Sequence, residues 1–434
     1  MEQISSDKKQ LCGRLVALLA IFWSCVGPLS ADAAKVPELL GSEPVVGDLR
    51  SLAEPRPRPL DDLNAELSPY GVRLGLGYTT TVLGNPVGGA NQGVSYAGLM
   101  AFGVFLDLEE WWGWSDTEFH ISGSWATGSS LTADHIHNTV NVSNVFSGQA
   151  ARLYELTLQS KFFDEQFEIR IGKISAGEYF AVNPLGSYFL NLSFDDNPAA
   201  VAYNDPAFAI DPVALWGIMG SLKLTNERWN LRAAVYDASN PTQWNEYNSG
   251  LNFRFNPANG MLFTGQLDYH LPSIEGAGRG GSQMSIGMFV DTGKRPLLTN
   301  AQASQEGNTN FWLTVQHDFG EIVNTGDQLA GFLTMTGAPQ TNLNMFPFSV
   351  ASGFVWNGLL AQRPSDAVAL AASYYRFSSK LPGQTHEIAL ELAYTLRLTP
   401  WMTIQPDLQG VLRPSGTGKI PSALVMGFST EVVF

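Results

Sequence analysis

Cysteine is almost absent from this chain: Cys12 and Cys25 are the only two, both close to the N-terminus. The remainder can build neither disulfides nor thiolate metal sites. Charge is scarce as well, at 15% of residues against roughly 25% in ordinary soluble proteins. Bases are scarcer than acids, 25 against 40, for a net charge of −15. That balance disfavours a nucleic-acid partner, which needs clustered Lys and Arg, and a basic surface anchor on anionic lipid. Past the N-terminus no apolar run approaches the ~18 residues of a helical membrane span. If the chain enters a membrane, it does so as a closed barrel.

The six histidines form no metalloprotease pattern, and Asp134-His135-x-His137 lies in a polar loop. Serines are plentiful, but no GxSxG elbow accompanies them. Gly75-Leu76-Gly77 lacks a following helix and reads as strand glycine. No catalytic, cofactor or metal site is therefore expected.

What is present begins with a secretory signal over 1–34. Lys8, Lys9 and Arg14 form its basic part, Leu15 to Val26 its apolar part, and small residues up to Ala34 its cleavage zone. Both cysteines leave with it. Residues 35–69 are rich in proline (Pro37, Pro44, Pro55, Pro57, Pro59), and Asp61–Leu67 predicts two helical turns stopped by Pro69. This arm is either a disordered periplasmic leader or a short plug in a barrel mouth.

From residue 70 to 434 the pattern changes. Over the whole chain glycine is frequent (43) and aromatics make up 11%, with mean hydropathy close to zero, as expected where lipid-facing and water-facing residues alternate and cancel. At the C-terminus Phe434, Val432, Thr430, Phe428, Met426 and Leu424 share one face of an extended strand, opposite Val433, Glu431, Ser429, Gly427 and Val425. A last sandwich strand of a soluble protein could show the same. His386–Leu398 is harder to place in a sandwich: five aliphatics and Tyr394 face one way, while Glu387, Glu391 and Arg397 face the other. A wall between lipid and water accounts for it.

Seventeen alternating segments can be counted, starting near 71, 94, 116, 150, 166, 212, 229, 247, 261, 281, 309, 327, 349, 366, 384, 401 and 421. An even number is required if both ends lie in the periplasm. The short links at 110–115, 164–165, 225–228, 321–326, 362–365 and 399–400 all fall on one side only if Tyr247–Phe255 belongs to a loop. The expectation is thus an all-β, antiparallel transmembrane barrel of sixteen strands with a short N-terminal helical arm. Its external loops are expected at 84–93, 129–149, 176–211, 240–260, 293–308, 339–348, 380–383 and 414–420. The third is the longest, and such loops are usually functional.

Alternation points Glu155, Thr157, Gln159 and Lys161 to the lumen, followed by Glu168, Arg170 and Gly172 on the next strand. Mixed acids and bases there either orient polar solutes or are ordinary lining. The long loop holds Tyr179, Asn183, Asn191 and Asp195 among other aromatics, amides and carboxylates. That set offers flat apolar faces and planar hydrogen-bonding groups to sugars, or else pins the loop to the wall.

The segments Tyr78–Gly89, Ala151–Leu156, Glu168–Lys173, Glu178–Ala181, Phe189–Phe194, Arg228–Asp237, Pro400–Leu408 and Ile420–Phe434 resemble, in the same order, the carbohydrate-selective porin family of the OprB type. The resemblance implies a sixteen-stranded outer-membrane channel. Mono- or oligosaccharides would pass by facilitated diffusion, through a constriction formed by loops two and three. It also matches Arg152 and Lys173 to basic positions near that constriction and Glu155 to a polar one, although strict alternation turns Arg152 and Lys173 toward lipid. The family's Gly-Asp-Trp-Gly-Gly run is replaced by Gly47-Asp48-Leu49-Arg50. Outer-membrane lipid is the expected surrounding; monomer and trimer both remain open. A general or cation-preferring porin and a plugged envelope anchor are the competing readings.

Overall fold

The computed structural model describes residues 58–224, 228–239, 249–271, 282–322, 327–360 and 362–434. The expected signal segment and the arm up to residue 57 lie outside them. The first strands are β1 (Val72–Val87), β2 (Val94–Asp107), β3 (Thr117–Gly128), β4 (Ala150–Phe162), β5 (Phe167–Ile174) and β6 (Leu215–Leu224). Next come β7 (Trp229–Asp237), β8 (Met261–His270), β9 (Gln283–Leu297), β10 (Asn300–Gly320) and β11 (Gln328–Gly337). The last are β12 (Phe348–Asn357), β13 (Ala367–Arg376), β14 (His386–Thr399), β15 (Met402–Leu412) and β16 (Ala423–Val433). Each pairs with its sequence neighbours, and β1 pairs antiparallel with β16, closing the barrel. Closure leaves no unpaired sheet edge to face lipid.

Alternation sets which side chains face which medium. On β16, Met426 and Phe428 are exposed on the outer surface while Val425 and Ser429 are buried inside. On β14, Leu390, Leu392 and Leu398 face out, and Glu387, Ala389, Glu391 and Ala393 face in. The described part of Tyr247–Phe255 forms no strand, so the even count holds.

Two loop boundaries differ from expectation. Residues 293–308 continue β9 and β10 as one hairpin turning at Leu298–Thr299, with register shifts near Asn300 and Glu306. Two neighbouring strands lose nothing by keeping their hydrogen-bond ladder beyond the hydrocarbon. Residues 84–87 likewise continue β1.

The helix at Asp61–Leu67, α1, forms as expected and sits at the β1–β16 seam. Phe434 donates its N–H to the Leu76 carbonyl at 2.9 Å, and there β16 stops. One step further Leu74 would lack a partner, but the Asn64 amide takes over. Its Nδ2 donates to Leu74 O at 3.0 Å, and Leu74 N donates to its Oδ1 at 2.8 Å. Helix α2 (Leu108–Trp112) makes the first turn, capped by the Asp107 carboxylate at its start and by left-handed Gly113 at its end.

A one-residue bulge lies between β3 and β4. Ile121 is opposite Leu156, but Gly123 is opposite Leu153, so Ser122 faces both Tyr154 and Glu155. An extra residue inverts the alternation beyond it. Arg152 therefore lies opposite buried Ser124 on the lumen side, where strict alternation had turned it to lipid.

Candidate functional site

Sixteen strands enclose more space than wall side chains fill, and here two external loops enter it. The third loop (175–214) leaves β5 at Ser175, whose N–H donates to Glu155 Oε1 at 2.8 Å. Tyr179 OH donates to the other oxygen of Glu155 at 3.2 Å, and burial pushes this phenol well above its usual range, so it stays a neutral donor. The loop next meets Gln266 on β8, whose Oε1 accepts Ala181 N at 2.8 Å and Trp312 Nε1 at 2.7 Å. It then crosses to the opposite wall. There Glu391 accepts Leu190 N at 2.6 Å and Asn191 N at 3.0 Å, and Asn191 Nδ2 donates to Gln409 at 2.8 Å. A short helix, α3 (Ala199–Asn204), brings it back toward β9 and β10, where Asp205 bonds Arg295 and Asn308, each at 3.0 Å.

Apolar packing gives the loop its position. Phe180 and Phe208 pack with Phe289 and Trp312 of the wall. Phe189 and Phe194 pack against Phe332 and a carpet of inward alanines, Ala330, Ala351, Ala369, Ala389 and Ala393. A fully buried Phe contributes about 1.5–3 kcal/mol, and small wall residues leave the rings room. Residues 129–149, the second loop, lie across the third. Asn144 N donates to Leu190 O at 2.7 Å, and Leu192 N to Asn141 O at 3.0 Å. Glu387 on β14 holds this second loop by accepting Thr139 N and Val140 N.

Charged groups that keep some exposure on the remaining lumen wall include Arg73, Glu118, Glu168 and Arg232. Arg73 lies 4.0 Å over the Phe105 ring, which stacks on His120 at 4.3 Å. Arg170 lies 4.8 Å over Tyr179, and Arg232 pairs with Asp268 at 2.6 Å while also bonding Tyr179 O. An aromatic flanked by guanidinium and carboxylate groups offers a sugar a ring face and planar hydrogen-bond partners.

The expected residues divide into groups. Glu155, Arg170 and Tyr179 come together. Asn191 and Asp195 meet at the junction of the two loops, where Asp195 accepts Asn144 Nδ2 at 3.1 Å. Asn183 folds the third loop on itself through Phe194 O at 2.9 Å. Arg152 is buried on the lumen side. Lys173 keeps its outward register opposite Leu156. Its Nζ donates to the Gly250 carbonyl and, at 3.2 Å, to that of Asn252. Sequence reasoning passed over Arg73, Arg232, Gln266 and Asp268, although their parity on the strands marks them as inward. His135 bonds Asn91 Oδ1 at 2.5 Å. Among the described residues no group of three His, Cys, Asp or Glu could hold a metal ion.

The sequence profile described as "Carbohydrate-selective porin, OprB family" matches residues 91–434. Porin B of Pseudomonas aeruginosa is 24% identical over 419 residues, covering 85% of this chain and 89% of that protein. The high-pH structure of Pseudomonas putida OprB superposes with a TM-score of 0.76 at 22% identity, covering 85% of this chain and 96% of the other. The low-pH structure gives 0.56 at 16% identity, over 85% and 95%. These likenesses show the fold.

Proposed function

This chain belongs to the carbohydrate-selective porin family and is an outer-membrane porin, and from that premise we propose how its lumen handles solute. It is a channel and not an enzyme. Carbohydrate moves by diffusion, without cofactor or energy input. The waist made by loops two and three is the selective element, and Tyr179, Arg232 and Glu168 form the polar face that solute meets, backed by the buried Arg170, Glu155 and Asp268. Asn183, Asn191 and Asp195 hold the loops around that face, Arg152 is buried in the wall beneath it, and Lys173 holds the fourth loop. Residues 1–34 are the signal, 35–69 a periplasmic arm or plug with a short helix, and 70–434 the barrel.

The observation that carries this reading is Tyr179, lying under Arg170 and tied to Glu155 at the point where the third loop leaves the wall. Binding there must stay weak, because a tight site stops flux. Liposome swelling with neutral sugars of graded size, set beside size-matched zwitterions, tests it. Sugars should enter faster than the zwitterions, and Arg170→Ala should narrow the difference. Equal entry would instead favour a general porin, for which the surplus of acids over bases gives a cation preference measurable as a reversal potential.

A further inference from the structure

The outer ends of β12–β16 carry a charge pattern that the diffusion path does not use. The loops joining these strands on the external side, with the one before β12, span 338–347, 377–385 and 413–422 and contain no Asp or Glu. This is in a chain with 40 acids against 25 bases. In the same sector stand Arg376, Lys380, Arg413 and Lys419. The strands beneath hold Glu387, Glu391 and Asp407, all buried on the inner face. Glu431 lies near the periplasmic end of β16, opposite Thr403.

Arg376 sits on the lipid side, in the exposed row of β13. Arg376 is directly opposite His386 in the β13–β14 register. One step toward the membrane centre, Tyr374 is opposite Ile388 and Ile388 opposite Leu412, all outward-facing. The His386 ring stacks on Tyr374 at 5.5 Å. Arg413 follows Leu412, and strand alternation would send it inward beside Glu387. Instead its backbone takes the left-handed region (φ 55, ψ 58), costly for a side chain with a Cβ. Its Nη2 donates to exposed Thr385 at 3.1 Å. Among the described residues none of Arg376, Lys380, Arg413 and Lys419 makes an ion pair.

We propose that this rim binds the phosphate groups of an outer-leaflet glycolipid. Guanidinium groups suit phosphate because their fork donates two parallel hydrogen bonds. Arg376 and His386 point away from the lumen, so a permeating solute does not meet them. A lipid whose chains lie on Tyr374, Ile388 and Leu412 brings its headgroup to their level.

The test uses the full chain in phosphatidylcholine vesicles containing a few mole percent of diphosphorylated lipid A, with lipid retained per barrel measured after detergent extraction. The wild type should retain lipid A, and the double variant Arg376→Gln, Arg413→Gln should retain less by roughly fivefold or more. Lys294→Gln, on the β9–β10 hairpin, should match the wild type. Folding of each variant is read from its compact mobility before boiling. The charge-keeping pair Arg376→Lys, Arg413→Lys should hold most of the retention, so the proposal stays testable should the Gln pair fail to fold. Equal retention by wild type and charge-removing variant overturns the proposal. So does equal retention of dephosphorylated lipid A, which would assign binding to the acyl chains. Complete displacement by millimolar inorganic phosphate would make the ligand a free anion. A change in oligomer mass on mutation, in lipid-free detergent, would make this a contact between copies.

Discussion

Glu391, on the inner face of β14, accepts the backbone N–H of Leu190 in the third loop at 2.6 Å, across 201 positions of sequence. A carboxylate on the lumen face of a porin wall would ordinarily be assigned to the pore field. This one is covered, and its second oxygen takes the next amide, Asn191 N, at 3.0 Å. Glu387, four residues earlier on the same strand, does the same for the second loop. The inward carboxylates of β14 hold loops, and in doing so they set the width of the waist.

Removing that hold should widen the channel. In Glu391→Ala two loop amides lose their carboxyl acceptor, and each buried unpaired N–H costs about 1–3 kcal/mol. Single-channel conductance should rise and become noisier, while strand content stays constant. An unchanged conductance trace would mean that apolar packing of Phe189 and Phe194 holds the loop without help.

Arg170 and Lys173, three residues apart, should behave differently. Arg170→Ala removes a guanidinium lying over Tyr179 and should change sugar flux and ion selectivity together. Lys173→Ala frees the carbonyls of Gly250 and Asn252, which should leave flux near wild type and speed proteolysis near residue 250. Comparable losses of flux in the two variants would place Lys173 on the solute path.

The β1–β16 seam offers a test of closure. Asn64→Ala deletes both bonds to Leu74 and should cost about 1 kcal/mol, seen as a lower temperature for loss of the compact unboiled band. Asn64→Asp keeps an acceptor for Leu74 N but loses the donor, and should fall between.

A pH effect is expected at the turn before β13. Burial works against the Asp366 charge, yet hydrogen bonds from Arg363, Tyr394 and the Arg397 amide outweigh it and hold the carboxyl below its usual value. A folded value below the unfolded one contributes stability above the unfolded pKa, about 3.9. That contribution is lost as pH falls through the folded value. Wild type should therefore exceed Asp366→Asn in thermal stability at neutral pH, and the gap should close in acid below about pH 4. A constant gap across that range would exclude the linkage.

Much of this molecule is legible from its chain alone, and the reason is local. A strand turns successive side chains to opposite faces whatever surrounds it, so Leu390 belongs to lipid and Glu391 to the interior on sequence alone. The even strand requirement then placed Tyr247–Phe255 in a loop. The same parity marks Arg73 and Arg232 as inward. Helix α1 was equally visible, from Asp61-Asp62 at its start and Pro69 beyond its end.

Three features were decided only by tertiary structure. The bulge opposite Ser122 re-aims Arg152; an arginine turned to lipid by strict alternation signals a register change, but where the extra residue sits is set by pairing with β3. The hairpin at 293–308 forms because two strands already paired within the barrel can go on pairing beyond it. The waist depends on bonds such as Gln409 Nε2 to Val142 O, made across 267 positions. Sequence alternation determines which face of the wall a residue occupies. Whether that face meets water or a folded-in loop depends on contacts between distant segments, which exist only once the barrel has closed around them.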